Sequence, residues 1–245
     1  MKWRSIAAAL GSLGLGWALV GAAPALAGNV TVGAGSSLDL GTGSLALGCA
    51  DLDVLGTLTA GTVGFTQGRD VTVTPSGVMN GNSATLQLSG DWDNTGSFVP
   101  GTSSVRITDG CGLLSDVVNG STTFHDFQLS STSGKQVSFA AGSTQTVAGA
   151  FTVSGATGNL LKLRSSVGGT VAFVNVQGSG IANHVDIADI SAAPGNDIPI
   201  SGDSVKGPNT PGWVLVGAVP LLPPLAAALL LGALLLIARR RLAVR

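Results

Sequence analysis

Residue types that catalyse reactions or bind metals are scarce in this chain. It has two histidines, two cysteines and thirteen acidic residues, all of which are aspartates. His125 lies beside Asp126 and His184 two residues before Asp186, but neither arrangement defines a catalytic site by its spacing. No nucleophile elbow, phosphate-binding loop, H-E-x-x-H or C-x-x-C pattern occurs. The sequence therefore predicts a protein that is not an enzyme and has no cofactor and no metal site.

The two cysteines, Cys49 and Cys111, both lie in the part of the chain predicted to be exported. An isolated pair in an oxidising compartment usually forms a disulfide. Closing a loop of about 60 residues would stabilise the fold by about 4 kcal/mol on the chain-entropy model. We therefore expect Cys49 and Cys111 to be bonded.

The N-terminus has the three parts of a secretory signal peptide. A basic start is followed by an uncharged apolar run over residues 5–22, and Ala25 and Ala27 then form a small-x-small cleavage site. The sequence predicts a signal peptide over residues 1–27, with cleavage before Gly28.

The C-terminus has the features of a membrane anchor. Residues 214–238 carry no charge and are long enough to cross a bilayer as one helix. A basic tail over residues 239–245 follows, beginning with Arg239, Arg240 and Arg241, and it should stay in the cytoplasm. The two termini thus predict an exported protein anchored in the inner membrane, with its body outside the cytoplasm.

The remaining body is acidic and rich in β-strand patterns. Six basic and thirteen acidic side chains give residues 28–212 a net charge of −7, which argues against nucleic acid as a partner. Short runs with period-2 alternation recur between Gly, Asn, Asp and Ser, and the spacing leaves no room for helices. Examples lie at residues 29–32, 51–55, 70–74, 85–89, 104–108, 123–129, 136–139, 150–153, 160–164, 170–176 and 184–188.

This pattern predicts an all-β body over residues 28–190. Loose repetition favours a right-handed β-solenoid, or β-helix, with a β-sandwich as the alternative. Prolines and glycines over residues 191–213 indicate a stalk, although a last strand around residues 198–205 remains possible. One C-terminal transmembrane helix over residues 214–238 completes the predicted organisation.

The C-terminal pattern resembles the tripartite sorting signals of Gram-negative bacteria, the PEP-CTERM and, more closely, the IPTL-CTERM type. The resemblance rests on the Pro-containing segment 218–224, the Leu/Ala stretch and the arginines. The body is similar to the β-rich proteins that precede such signals, at residues 86–94, 109–111, 139–147 and 163–166. Ile-Pro-Thr-Leu in the family corresponds here to Val219, Pro220, Leu221 and Leu222, and no Trp-Gly pair follows.

The resemblance implies that an exosortase-type membrane enzyme recognises the tail, cuts near Val219–Pro220 and releases the body to the cell surface or matrix. The function predicted is that of a non-enzymatic structural or adhesion protein of the cell envelope, with polysaccharide or other envelope proteins as partners. One alternative is a secreted carbohydrate-active β-helix enzyme, with Asp126, Asp186 and Asp189 as candidate acids. Another is a protein anchored permanently in the membrane.

Overall fold

The computed structural model describes residues 28–216, which fold entirely into β-strands and turns. Within this range there are 26 strands and no helix, so no helix there could span a membrane. Successive strands stack in parallel on the strands of the preceding repeat and form a β-solenoid of about eight coils. The predicted all-β class and the solenoid are confirmed, and the β-sandwich alternative is not adopted.

Each coil contributes one strand to each of three faces. The first face is a nine-stranded parallel sheet, here sheet A. Its strands are β1 (Val30–Val32), β4 (Leu52–Val54), β7 (Val71–Val73), β10 (Trp92–Asn94), β13 (Ser115–Asn119), β16 (Gln136–Phe139), β19 (Leu161–Ser165), β22 (Val185–Ala188) and β25 (Val205–Lys206).

The second face is divided into two four-stranded sheets. Sheet B has β2 (Ser37–Asp39), β5 (Thr57–Thr59), β8 (Val78–Asn80) and β11 (Ser97–Val99). Sheet D has β14 (Thr123–Phe124), β17 (Thr144–Val147), β20 (Ala172–Val176) and β23 (Ile190–Ser191). The division falls between the fourth and fifth coils.

The third face, sheet C, again has nine strands. They are β3 (Ser44–Ala46), β6 (Gly64–Gly68), β9 (Thr85–Leu88), β12 (Ser104–Ile107), β15 (Asp126–Ser130), β18 (Ala150–Ser154), β21 (Ser179–Asn183), β24 (Ile198–Ser201) and β26 (Trp213–Leu215). Coils are numbered 1 to 8 from the N-terminus, and β25 and β26 form a shorter ninth.

Alternation along each strand places apolar side chains inside and polar ones outside. In β4, for example, Leu52 and Val54 are buried while Asp53 faces outward. The coils stack in register, so that apolar residues lie on apolar residues. Val30 pairs with Leu52, for example, and Leu52 pairs with Val71. Because a one-residue slip would turn every apolar side chain outward, this pattern fixes the register of the coils.

Aromatic rings form a chain of contacts inside the solenoid from coil 4 to its C-terminal end. Trp92 meets Phe124 with ring centroids 5.4 Å apart, and Phe124 stacks on Phe127 at 4.2 Å. Contacts continue through Phe151 to Trp213 at 6.3 Å. The rings connect coils whose strands are far apart in sequence, and Trp213 closes the C-terminal end of the core.

A small buried polar network lies where the second face divides. The Thr122 hydroxyl accepts hydrogen bonds from Trp92 Nε1 at 3.2 Å and Asn94 Nδ2 at 3.1 Å. Gln145 is fully buried, and its amide bonds the backbone of Thr122 and of Gly120. Gln145 thus satisfies backbone groups where sheets B and D do not pair.

The segment expected to be a stalk, residues 191–213, carries strands in the structure. Ile198 and Ile200 of β24 are buried, and Trp213 begins β26. The prolines and glycines that suggested a stalk lie largely in the turns between these strands, and the inward isoleucines hold the segment to the core. Of the predicted transmembrane span, residues 217–238 lie outside the described part of the chain.

Candidate functional site: the strapped corner and the polar flanks

The predicted disulfide is present, and it joins distant coils. Cys49 lies between β3 and β4, whereas Cys111 lies between β12 and β13, and their Cα atoms are 5.6 Å apart. Residues 109–114, here called the strap, run back along the corner between sheets C and A. The Ser89 hydroxyl donates to Cys111 Sγ at 3.4 Å, which places the strap beside coils 3 and 4. The bond thus holds the corner of coil 1 to that of coil 4.

A buried ion pair lies in the same corner. Lys135 Nζ is 2.6 Å from Asp116 Oδ2, and the two side chains are only 1% and 0% exposed. The ammonium group also donates to the carbonyl oxygens of Ser89 at 2.7 Å and Thr108 at 3.1 Å. Its three protons therefore have three acceptors, which lie on the two preceding corners of the solenoid.

Asp109, at the start of the strap, fixes the neighbouring turn. Its carboxylate accepts hydrogen bonds from the backbone N–H groups of Thr132 and Ser133 and from both hydroxyls. Burial pushes the pKa of Asp109 upward, but these bonds and one from Ser131 outweigh it and lower the pKa. The turn that carries Lys135 is thereby held by the strap that carries Cys111.

The Asp116 carboxyl group has an unusual environment for an acid. Removal from water raises its pKa from 3.8 to about 6, although the hydrogen bond and charge of Lys135 act in the opposite direction. Its second oxygen, Oδ1, has no hydrogen-bond partner among the described residues. Between pH 3.8 and 6 the folded chain binds more protons at this group than the unfolded chain does.

We therefore expect the free energy of unfolding to fall as the pH rises from about 4 to about 6, by roughly 2 to 3 kcal/mol for this group. Denaturant unfolding at several pH values measures the slope. Asp116→Asn should flatten it, whereas Asp93→Asn, on the exposed side of sheet A, should leave it unchanged. A wild-type slope no more negative than that of Asp116→Asn in this window would contradict the expectation.

The candidate acids Asp126 and Asp186 lie on different faces of the solenoid. Asp126 begins β15 in sheet C beside His125, while Asp186 lies in sheet A, where it pairs with Arg164 at 2.6 Å. His184 contacts Asp203, with Nδ1 and Oδ1 2.5 Å apart. The structure does not bring Asp126, Asp186 and Asp189 together.

Aspartates also form a hydrogen-bonded ladder at the edge of sheet A where its strands begin. Asp70 Oδ1 accepts from the backbone N–H of Asp91 at 2.8 Å, and Asp91 Oδ1 accepts from Val117 N at 2.7 Å. Burial raises the pKa of Asp51, but the hydrogen bond and charge of Arg69, 2.5 Å away, outweigh it and lower the pKa. These side chains bond the next coil and give this flank a negative charge. No group of three or more metal-ligating side chains occurs within residues 28–216.

The outward side of sheet C is polar and nearly uncharged. Arg106 and Asp126 are the two charged residues in its nine strands, whereas those of sheet A contain seven. Gln87, Arg106 and Gln128 stack in register on β9, β12 and β15. Hydroxyl and amide side chains occupy most other outward positions, namely Ser44, Thr66, Thr85, Ser104, Ser130, Thr152, Ser154, Ser179, Asn183 and Ser201. We call this surface the sheet C flank.

Comparisons with protein-family models, with curated proteins and with solved structures give no match. Gly28 is the first described residue and is exposed. The other residues of the predicted processing and sorting signals lie outside the described part of the chain, namely Ala25, Ala27, Val219, Pro220, Leu221, Leu222, Arg239, Arg240 and Arg241.

Proposed function

We propose that this protein is a non-enzymatic structural or adhesion protein of the bacterial envelope, whose sheet C flank contacts neutral polysaccharide. The observation that carries the proposal is this long, nearly uncharged surface of hydroxyl and amide groups on a rigid scaffold. Such groups donate and accept hydrogen bonds, as sugar hydroxyls do. The acidic ladder on sheet A makes that flank the less favourable side for anionic surfaces.

The solenoid is proposed to be right-handed, since parallel β-crossovers are right-handed in nearly all proteins. Export through a signal peptide cleaved before Gly28 fits the disulfide, because such bonds persist in oxidising compartments. The C-terminal helix and arginines are proposed to hold the chain in the inner membrane. An exosortase-type enzyme would then cut near Val219–Pro220 and pass the body to the surface or matrix.

The intact mass of the protein, with its terminal peptides, tests the sorting part. Native envelope and extracellular fractions are compared. A chain that begins at Gly28 and ends near Val219 is expected under the proposal. A chain that begins at Gly28 but keeps Arg239–Arg245 would be a simple membrane anchor, and the sorting proposal would fall.

The polysaccharide contact is tested on the sheet C flank. Replacing both Gln87 and Gln128 with Ala is expected to weaken retention on neutral envelope glycans about tenfold, because each lost hydrogen bond is worth about 1 kcal/mol or less. Affinity chromatography or calorimetry with the purified chain measures the change.

The matched control changes polar residues on sheet A. Thr72→Ala with Gln136→Ala should leave glycan retention unchanged, since both side chains face outward on sheet A, which is a different face of the solenoid. Equal losses in both double variants, or no retention of the wild-type chain on any envelope glycan, would count against the proposed contact.

A further inference from the structure

The charges on the outward side of sheet A change in sign along the solenoid. Coils 2 to 4 carry one cation there, Arg69, and the aspartates Asp51, Asp53, Asp70, Asp91 and Asp93. Coils 5 and 6 present no charge on this side, because their ion pair is buried. Coil 7 presents Lys162 and Arg164, and coil 8 presents Asp186. The surface is therefore acidic in its first half, uncharged in its middle and basic at coil 7.

Neither half of this surface is neutralised within the chain. Partial burial and the charges of Asp51 and Asp70 raise the pKa of Asp53. Asp91 and Lys162 are both exposed, and neither forms an ion pair with any of the described residues. Neighbouring strands lie about 4.8 Å apart, so about 14 Å separates coil 4 from coil 7. Lys162 therefore cannot reach Asp91 of its own chain.

Exposed apolar side chains lie at the middle of the same surface. Val117 points outward from β13, in one of the two uncharged coils, and is 37% exposed. Leu114, at the end of the strap, is 64% exposed. Interfaces between proteins typically have a charge-depleted centre with polar and charged groups around it. Sheet A has this arrangement, with opposite charges on the two sides of its centre.

We propose that sheet A is a homodimer interface, on which a second copy of the chain packs face to face and antiparallel. The two-fold axis lies parallel to the strands, between coils 5 and 6. It places coil 4 of each copy opposite coil 7 of the other, and coil 3 opposite coil 8. Asp91 then faces Lys162, and Arg69 faces Asp186, each twice in the dimer. In a parallel pair the aspartates of coil 4 would face each other and repel, so the charge pattern selects the antiparallel arrangement.

The size of the surface predicts a weak contact. Nine strands about 4.8 Å apart, most of them about 10 to 17 Å long, give roughly 500 Å² on each copy. The total of about 1,000 Å² is at the lower limit for specific interfaces. Because the contacts are largely between exposed charges, salt should weaken them.

The pairing leaves the sheet C flank of both copies uncovered. Antiparallel copies have their C-terminal ends at opposite ends of the dimer, whereas two copies standing upright in one membrane would be parallel. The dimer therefore suits bodies released by the proposed cleavage near Val219–Pro220, and on this point it rests on the proposed function. In detergent each copy is free of a common bilayer, so the interface can be tested on the full chain whether or not cleavage occurs.

Charge reversal tests the interface with two differently tagged full-length copies, produced in the same cells and extracted in mild detergent at low salt. Capture through one tag is expected to recover the other copy. With Lys162→Asp in both copies, or Asp91→Lys in both copies, recovery should fall about tenfold or more, because like charges then face each other. A Lys162→Asp copy with an Asp91→Lys copy should be recovered like the wild type, since every contact again joins opposite charges.

The control variant is Asp39→Lys, which reverses an exposed charge on sheet B and should leave recovery unchanged. A mixed pair recovered no better than either variant with itself would overturn the proposal. An equal loss of recovery with Asp39→Lys would also overturn it.

A second measurement uses the wild-type chain and does not depend on how the variants fold. A carbodiimide takes up water as it condenses a carboxyl group and an amine into an amide, and it should link Asp91 to Lys162 at low salt. Because these residues are too far apart within one chain, the linked peptide reports a contact between copies. Its yield should fall about tenfold at roughly 1 M salt, where charges more than about 3 Å apart are screened.

Absence of the linked peptide at low salt, or a yield that salt does not change, would overturn the dimer. The glycan assay on the sheet C flank and the intact mass of the released chain are separate measurements, so each proposal can fail alone.

Discussion

Removal of the Cys49–Cys111 disulfide is expected to lower the free energy of unfolding by about 4 kcal/mol. The bond closes a loop with a sequence separation of 62 residues, and cross-linking a loop of that length restricts the unfolded chain by about this amount. The measurement is denaturant unfolding of Cys49→Ala/Cys111→Ala beside the oxidised wild type. Both cysteines have positive φ angles, 66° and 49°, and alanine keeps a similar backbone cost, so the comparison isolates the bond.

The loss should be uneven along the solenoid. Stability in stacked repeats depends mainly on contacts between neighbours, and this bond is an additional tie from coil 1 to coil 4. Hydrogen exchange should therefore accelerate most in residues 28–110 and least in coils 6 to 8. Wild-type protein treated with a reductant serves as the control and should match the double variant. A change below about 1 kcal/mol, or a uniform acceleration along the chain, would contradict the expectation.

Replacing Lys135 with Met is expected to destabilise the fold by about 3 to 5 kcal/mol at neutral pH. Removing one member of a buried ion pair leaves the other charge without compensation. Here it also removes the donor to the carbonyls of Ser89 and Thr108. Since Asp116 can become neutral by binding a proton, the loss should be smaller at pH 4 than at pH 7. Thermal or denaturant unfolding at both pH values measures this difference.

Two further variants separate the buried charge from other effects. Lys135→Met with Asp116→Leu should recover part of the lost stability, because an apolar pair leaves no buried charge. Lys162→Met changes an exposed lysine on the next coil of sheet A and should alter stability by less than about 1 kcal/mol. Equal losses of unfolding free energy in Lys135→Met and Lys162→Met would show that the buried ion pair contributes no more to stability than an exposed lysine does.

Local pattern was sufficient to predict six of the nine strands of sheet A and four of the nine strands of sheet C. Runs such as residues 70–74 and 85–89 alternate strictly, and the structure has β7 and β9 there. The strands of the second face were harder to recognise. β2 and β8 have three residues each, and glycine or serine lies within two residues on both sides of each strand, so the composition of these segments resembles that of turns. They become strands because the coils on either side supply hydrogen-bond partners.

The last coil is a second case in which local pattern was insufficient. Residues 191–213 contain enough proline and glycine to predict a stalk, and the possible strand at 198–205 was the one sign of order. The structure places Ile198, Ile200 and Trp213 against the core. Burial of these three side chains holds the segment in one conformation, whereas the prolines and glycines alone would allow several.

The sequence by itself determined the all-β class, the repeating coil and the disulfide. Alternation has a period of two in any strand, and two cysteines in a body predicted to be exported have one intramolecular partner each. Only the tertiary structure decided that Lys135 and Asp116 are buried together. Lys135 follows Ser133 and Gly134 in what reads as an exposed turn, and Asp116 belongs to the preceding coil. Asp116 follows the strap, residues 109–114, which leaves the corner between sheets C and A so that Cys111 can bond Cys49. No periodic pattern in the sequence predicts this path of the chain.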